Sequence, residues 1–295
     1  MIFSADIEDW QQSVYDFDRE VSSRVVRNTS RLLDILAKHS VTGTFFVQGM
    51  VAEKFPQLVK SITKAGHELA CHSHTHRRIY DLTEAQFRDE LHRSVALLED
   101  ISGEKVIGFR APTFSVRDEF LDWYCDALQS EGIVYDSSIM IATVRSCYGF
   151  TDDGILQRIR NRGLDTYPMS VSKLFGKNLP VMGGGYFRLY PYWFNRWLAK
   201  RLDHNTSVFY MHPYETDTNE YHEVSQLVDI SPKMAVHQFA RRSSVEAKLH
   251  RLLVDYPFTS FREKYYSAKD ITLMPASTSC AVAPAPHHYP IPVHL

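Results

Sequence analysis

Along the first half of the chain, hydrophobic positions switch repeatedly between the period of a strand and that of a helix. Met1 to Ala5 is a short apolar run, predicting a buried strand that ends in Asp6-Ile7-Glu8-Asp9-Trp10. Val25, Val26, Thr29, Leu32, Leu33 and Leu36 recur at helical spacing and predict a helix from roughly Val21 to His39. Gly43-Thr44-Phe45-Phe46-Val47 reads as a second strand, followed by a helix to about Ala65 with Gly66 as its C-cap. A third strand, Glu68-Leu69-Ala70-Cys71, runs into a cluster of histidines. Thr83 and Gln86 have capping-box spacing and open a helix whose core face is Phe87, Leu91, Val95 and Leu98. Val106 to Phe109 predicts a fourth strand, Asp118 to Ser130 a helix, and Ile133-Val134-Tyr135 a fifth strand. Strands alternating with helices argue for an α/β fold around a parallel sheet or barrel.

From Ile139 to about Pro180 the pattern weakens to a long excursion over the sheet, with one strand near Thr166-Tyr167-Pro168. Gly183-Gly184-Gly185 lets the backbone approach a neighbour closely, but lacks the lysine and the helix of a phosphate-binding loop. Pro191 to Leu202 reads as a helix with Trp193, Phe194 and Trp197 turned to the core, and Ser207 to Met211 as the last strand. Ser243-Ser244-Val245-Glu246 predicts a second capping box, opening a helix with Val245, Leu249, Leu252 and Leu253 inward. Residues 1–271 are expected to form one domain, and the Pro-, Ala-, Ser- and His-rich stretch 272–295 to be a disordered tail.

Composition narrows the function. The chain of 295 residues is 44% hydrophobic, enough for a substantial core. A formal net charge of −2, with both signs interspersed, gives no basic stripe for nucleic acid. Cys71, Cys125, Cys147 and Cys280 are scattered, which fits a reducing compartment better than a disulfide framework. Met1 to Asp6 turns acidic too early for a secretory signal, and no apolar run is long enough to span a bilayer. A cytoplasmic protein is the resulting expectation.

The candidate chemistry gathers at strand ends. Cys71-His72-Ser73-His74-Thr75-His76 places His72 and His76 four apart, which on one helical turn points both imidazoles at a single ion. Asp6, Glu8 and Asp9 crowd three carboxylates at the end of the first strand, which suits a neighbouring cation. Arg110-Ala111-Pro112 offers a fixed guanidinium for a carboxylate. His212 ends the last strand, at the same mouth if the sheet curls. Two histidines and a carboxylate on a divalent metal, a second carboxylate as base, Arg110 to orient it and His212 as acid describe metal-assisted amide hydrolysis.

These motifs resemble a known family. Asp6-Ile7-Glu8-Asp9, Thr44 to Gly49, Gly66 to His76, Arg110-Ala111-Pro112 and Met211-His212-Pro213 are similar, in this order, to the NodB-type polysaccharide deacetylases, carbohydrate esterase family 4. The resemblance covers about residues 1 to 215. Gly183 to Arg188, His212 to Glu215 and the helix from Ser243 extend it towards the subgroup of bacterial exopolysaccharide and surface-glycan clusters. It implies an incomplete seven-stranded (β/α) barrel, a divalent metal that is usually zinc, and removal of an acetyl group from an N-acetylated sugar or glycan.

By position, the resemblance makes His72 and His76 metal ligands, Arg110 the residue orienting the base, and His212 the acid. It places the oxyanion near the Thr113 backbone, where the family usually has an aromatic residue. The first motif departs from the usual pair of aspartates followed by glycine. One alignment makes Asp6 the base and Glu8 the metal ligand; the other makes Glu8 the base and Asp9 the ligand. We favour Asp6 as base with Glu8 or Asp9 on the metal, since alternate strand residues share a face. Thr151-Asp152-Asp153-Gly154 mimics that motif after the Arg110 loop and reads as a decoy turn. Two other functions fit the same residues: a related C–N hydrolase acting on formyl or other acyl groups, and a sugar-binding protein without turnover.

Overall fold

A computed structural model describes residues 1–142 and 154–266. In chain order its regular elements begin with β1 (Ile2–Ile7), α1 (Arg24–Lys38), β2 (Thr44–Val47), α2 (Gly49–Lys54), α3 (Pro56–Lys64), β3 (Glu68–Cys71) and α4 (Glu84–Ser102). They continue with β4 (Gly108–Phe109), α5 (Leu121–Ser130), β5 (Tyr135–Asp136), α6 (Gly154–Asn161), β6 (Asp165–Thr166), β7 (Val171–Leu174) and β8 (Lys177–Pro180). The last are α7 (Gly184–Leu189), α8 (Tyr192–Ala199), β9 (Val208–Met211), α9 (Glu220–Val224), α10 (Pro232–Phe239), α11 (Val245–Asp255) and α12 (Phe261–Tyr265). Seven strands form one parallel sheet in the order β6-β5-β4-β3-β2-β1-β9, while β7 and β8 form a separate antiparallel hairpin. The sheet curls into a half-barrel whose edge strands β6 and β9 do not pair.

Strand alternation explains which residues reach the barrel interior. Phe3, Ala5 and Ile7 of β1, Phe45 and Val47 of β2, Leu69 and Cys71 of β3, and Phe209 and Met211 of β9 pack outward with the helices in one core. The intervening residues Ile2, Phe46, Ala70, Val208 and Tyr210 belong to a second, interior core. Continuing that two-residue period past the strand ends puts Asp6 and Glu8, His72, Arg110 and His212 on the interior face at one mouth. At the opposite end, α12 acts as a plug. Phe261 N–H donates to Thr44 Oγ1, Arg262 N–H donates to Glu68 Oε2, and Phe261 packs 4.8 Å from the Tyr135 ring.

The structure reproduces the predicted order of elements and corrects several details. Thr83 and Gln86 do form the capping box of α4, and Gly66 ends α3 at φ 83°. Ser244 caps nothing: its hydroxyl donates back to Arg241 O, and α11 starts without a side-chain cap. Trp193 and Trp197 are not core residues. The buried stripe of α8 is Tyr192, Asn195, Leu198 and Ala199, which leaves Trp193 70% exposed. The glycine run, expected to lack a helix, leads directly into α7, and Gly183 lies so close to Tyr210 that a Cβ there would meet the ring at 2.3 Å. The excursion after Ile139 supplies a strand of the main sheet, β6, and the β7–β8 hairpin. Thr151 to Asp153 of the decoy turn, Cys147, Cys280 and the stretch 272–295 lie outside the described residues.

Candidate active site

His72 and His76 do converge, but not on a helix. The segment after β3 is a loop in which Ser73 and His76 take left-handed conformations, φ 59° and 67°. This tight path turns the His76 ring back to 5.1 Å from that of His72. Side chains from two other elements hold the loop. Gln12 Nε2 donates to Thr75 O at 2.9 Å, and Ser73 Oγ donates to Glu90 Oε2 at 2.9 Å. The other Glu90 oxygen accepts from Thr75 Oγ1 at 2.5 Å. Neither Glu90 nor Gln12 emerged from the sequence reading. Glu90 carried a signal: a carboxylate on the α4 stripe Phe87, Leu91, Ser94, Val95, all buried. His74 is buried against Gly49 and 3.4 Å from Ser94 Oγ, away from the two converging rings.

Among the described residues, one group of metal-ligating side chains stands close enough to share an ion: Glu8, His72 and His76, whose ligand atoms all lie within 4.8 Å of one another. Glu8 Oε2 faces His72 Nε2 at 3.5 Å and contacts His76 Nε2 directly. All three side chains are buried. The His72 ring is oriented by its other nitrogen, Nδ1, which donates to Arg110 O at 2.8 Å and leaves the Nε2 lone pair for a ligand. Glu8 Oε2 has no hydrogen-bond partner. A buried acceptor facing two imidazole nitrogens is a donor set that fits a divalent cation. Burial raises the Glu8 carboxyl, but the charges of His76 and His212 outweigh it and hold it well below the usual range.

Asp9 is not part of this group. It follows the strand on the opposite face, where Oδ1 accepts from Ser22 Oγ at 2.7 Å and Oδ2 from Ser22 N–H at 3.1 Å, ahead of α1. Asp6 is beside the group. Its Oδ1 accepts from Arg110 Nη1 at 2.6 Å, and its Oδ2 lies 4.0 Å from His212 Nε2. The Arg110 Nε and Nη2 donate to Ser137 O, Ser4 Oγ and Ser137 Oγ, and the guanidinium rests 4.0 Å above the Phe46 ring.

His212 faces the group from across the mouth. Its Nε2 is 3.5 Å from Glu8 Oε1, and its Nδ1 is 3.4 Å from Glu215 Oε1. Burial lowers the imidazole, but the carboxylates of Glu8, Glu215 and Asp6 overcome it and raise the pKa to about 9. A cavity of about 560 Å³ opens onto Asp6, Glu8, His72, His76 and His212, with Thr113 on its wall. Thr113 takes a left-handed conformation, φ 53°, at the Pro112 turn. The cavity therefore presents a carboxylate–imidazole cluster, a second carboxylate clamped by arginine, and a histidine between Glu8 and Glu215.

The chain is an α/β half-barrel with this side-chain cluster at the C-terminal mouth of its strands, and comparisons with known proteins agree on the fold. Residues 14–128 match the family described as "Polysaccharide deacetylase", and residues 137–266 one described as "Domain of unknown function (DUF3473)". The chain is 34% identical over 110 residues to a peptidoglycan deacetylase of Helicobacter pylori, a match covering 37% of this chain and 36% of that protein. It is 32% identical over 95 residues to a peptidoglycan-N-acetylglucosamine deacetylase of Bacillus cereus, covering 32% of this chain and 34% of the relative. The matches thus span about a third of these curated relatives. A solved structure of polysaccharide-deacetylase type from Mycobacterium smegmatis superposes with a TM-score of 0.55 at 19% identity, covering 96% of this chain and 94% of that one. Residues 14–128 carry a polysaccharide deacetylase domain, the NodB type of carbohydrate esterase family 4.

The two matched segments are not two folding units. The deacetylase segment holds β2, β3 and β4 with His72, His76 and Arg110, whereas segment 137–266 holds β6 and β9 with His212. The uncharacterised segment completes the barrel and supplies the histidine opposite Glu8.

Proposed function

We propose that this protein is a metal-dependent hydrolase that removes N-acetyl groups from an amino-sugar-containing glycan or glycan precursor in bacterial polysaccharide biosynthesis. The observation that carries this reading is Glu8 Oε2 facing both histidine Nε2 atoms, with Asp6 and His212 on the same cavity. Glu8, His72 and His76 would hold the ion, with zinc the proposed metal. When bound, such an ion polarises an acyl oxygen and lowers the pKa of water.

The remaining steps belong to the side chains. Asp6 Oδ2 accepts the proton of the attacking water, while Arg110 holds Oδ1 and keeps the carboxylate facing the cavity. Water adds to the acetyl carbon, the C–N bond breaks, and His212 Nε2 delivers a proton to the departing nitrogen. Glu215, 3.4 Å from Nδ1, holds the imidazole from behind and turns Nε2 to the cavity. The Thr113 backbone, on the cavity wall, is the proposed support for the developing oxyanion. The relatives named for peptidoglycan N-acetylglucosamine favour an N-acetylated amino sugar as substrate.

Acetate release from N-acetylglucosamine oligomers, measured beside formylated sugars and simple amides, tests the proposal. Metal-dependent acetate release, lost in H72A and reduced about 10²–10⁴-fold in H212A, is expected. Preferential hydrolysis of formyl or non-sugar amides would shift the substrate class. Sugar binding without metal or turnover would overturn the proposal.

A further inference from the structure

Tyr214 touches both halves of the site. It sits on the turn Pro213–Thr216 that follows β9 and is 5% exposed, with part of its surface on the cavity. Its hydroxyl donates to Glu8 Oε1 at 3.2 Å, the oxygen not facing the loop histidines. Its ring lies parallel to the His212 imidazole, 8° between planes and 4.8 Å between centroids. The ring is backed by the Arg242 guanidinium, 5.2 Å away, which is itself paired with buried Glu220.

A carboxylate turns easily about its last torsion, which is broad and roughly two-fold. No arginine or lysine fixes Glu8, since Arg110 is committed to Asp6; its Oε1 faces the Tyr214 hydroxyl at 3.2 Å and His212 Nε2 at 3.5 Å. The Tyr214 hydroxyl hydrogen-bonds Glu8 Oε1, on the His212 side, and leaves Oε2 for His72 and His76. The same ring, with Glu215 at Nδ1, fixes the plane of His212.

We propose that Tyr214 is a positioning residue that sets the rotation of the Glu8 carboxylate for metal binding and the ring plane of His212 for proton delivery. The inference rests on the metal-site reading above. Hydrogen bonds to metal-bound carboxylates typically contribute about 10–100-fold to metal affinity.

Zinc dissociation constants, measured by competition with a chromogenic chelator, test it together with kcat at saturating zinc and thermal midpoints of the zinc-free proteins. Y214F is expected to bind zinc about 10–100-fold more weakly and to regain most of its kcat when zinc is saturating. Y214L is expected to show the same affinity loss with kcat still low at saturating zinc, because the His212 ring is no longer stacked. In an E8Q background, Tyr214→Phe should weaken zinc binding no further. Unchanged zinc affinity in Y214F would overturn the inference, whether or not the thermal midpoint falls, and leave the metal site standing. Absence of zinc binding by the unsubstituted protein would overturn both.

Discussion

Arg110 Nη1 donates to Asp6 Oδ1 at 2.6 Å across 104 residues of sequence, and both side chains are almost completely buried. The contact joins the inward face of β1 to the loop after β4. It leaves Asp6 Oδ2 on the side of His212. Breaking one partner of a buried ion pair costs about 3–5 kcal/mol, since the other charge stays buried. D6N, nearly isosteric, is expected to lower kcat about 10²–10⁴-fold with little change in KM. R110K should lose several degrees of thermal stability as well as activity, because an ammonium cannot also reach Ser4 and both Ser137 oxygens. Steady-state kinetics beside a thermal melt separates the two effects.

His212 is predicted to act on the leaving group. H212A is expected to reduce kcat about 10²–10⁴-fold while retaining zinc, since His212 lies outside the Glu8, His72, His76 group. Metal analysis of the purified variant checks this; loss of zinc would make His212 a ligand.

Glu90 is predicted to matter to the site without touching it. It anchors the left-handed loop through Ser73 and Thr75. E90A leaves three buried or half-buried donors unpaired, at about 1–3 kcal/mol each before relaxation. The expected outcome is weaker zinc binding and a lower thermal midpoint; E90Q should recover part of both. Calorimetry and chelator competition read the two.

His67 predicts an acid limit to stability. Burial lowers its pKa from 6.5 to about 4, and Nδ1 accepts from Gly43 N–H at 3.2 Å, which requires the neutral ring. Unfolded, the ring binds a proton below its ordinary pKa; folded, it does not until pH falls to about 4. Its contribution is therefore complete above pH 6.5 and is lost as pH falls towards 4, up to about 3 kcal/mol. Urea denaturation at a series of pH values should show this slope, and H67Q should flatten it.

Much of this was legible in the sequence because parallel strands advertise themselves twice, by apolar runs and by the chemistry at their ends. Asp6, Arg110 and His212 could be placed at one mouth from strand positions alone. The choice among Asp6, Glu8 and Asp9 could not be closed that way. Asp9 is turned from the Glu8 cluster to Ser22, ahead of α1, which offers it two donors, and no spacing rule records that pairing. The helical turn inferred for His72 to His76 failed because two residues adopt positive φ, a conformation that sequence signals mainly through glycine or asparagine. The tryptophans of α8 were misplaced because hydrophobicity was weighed over phase. Pro191 starts the helix and turns Tyr192 and Asn195 inward instead.

The central claim is that Glu8, and not Asp9, joins His72 and His76 on a metal. Zinc content after dialysis against a weak chelator, in the unsubstituted protein, E8Q and D9N, tests it most directly. Stoichiometric zinc in the unsubstituted protein and D9N, with loss in E8Q, is the predicted result. Zinc retained by E8Q and lost by D9N, or no zinc in any of the three, would contradict it.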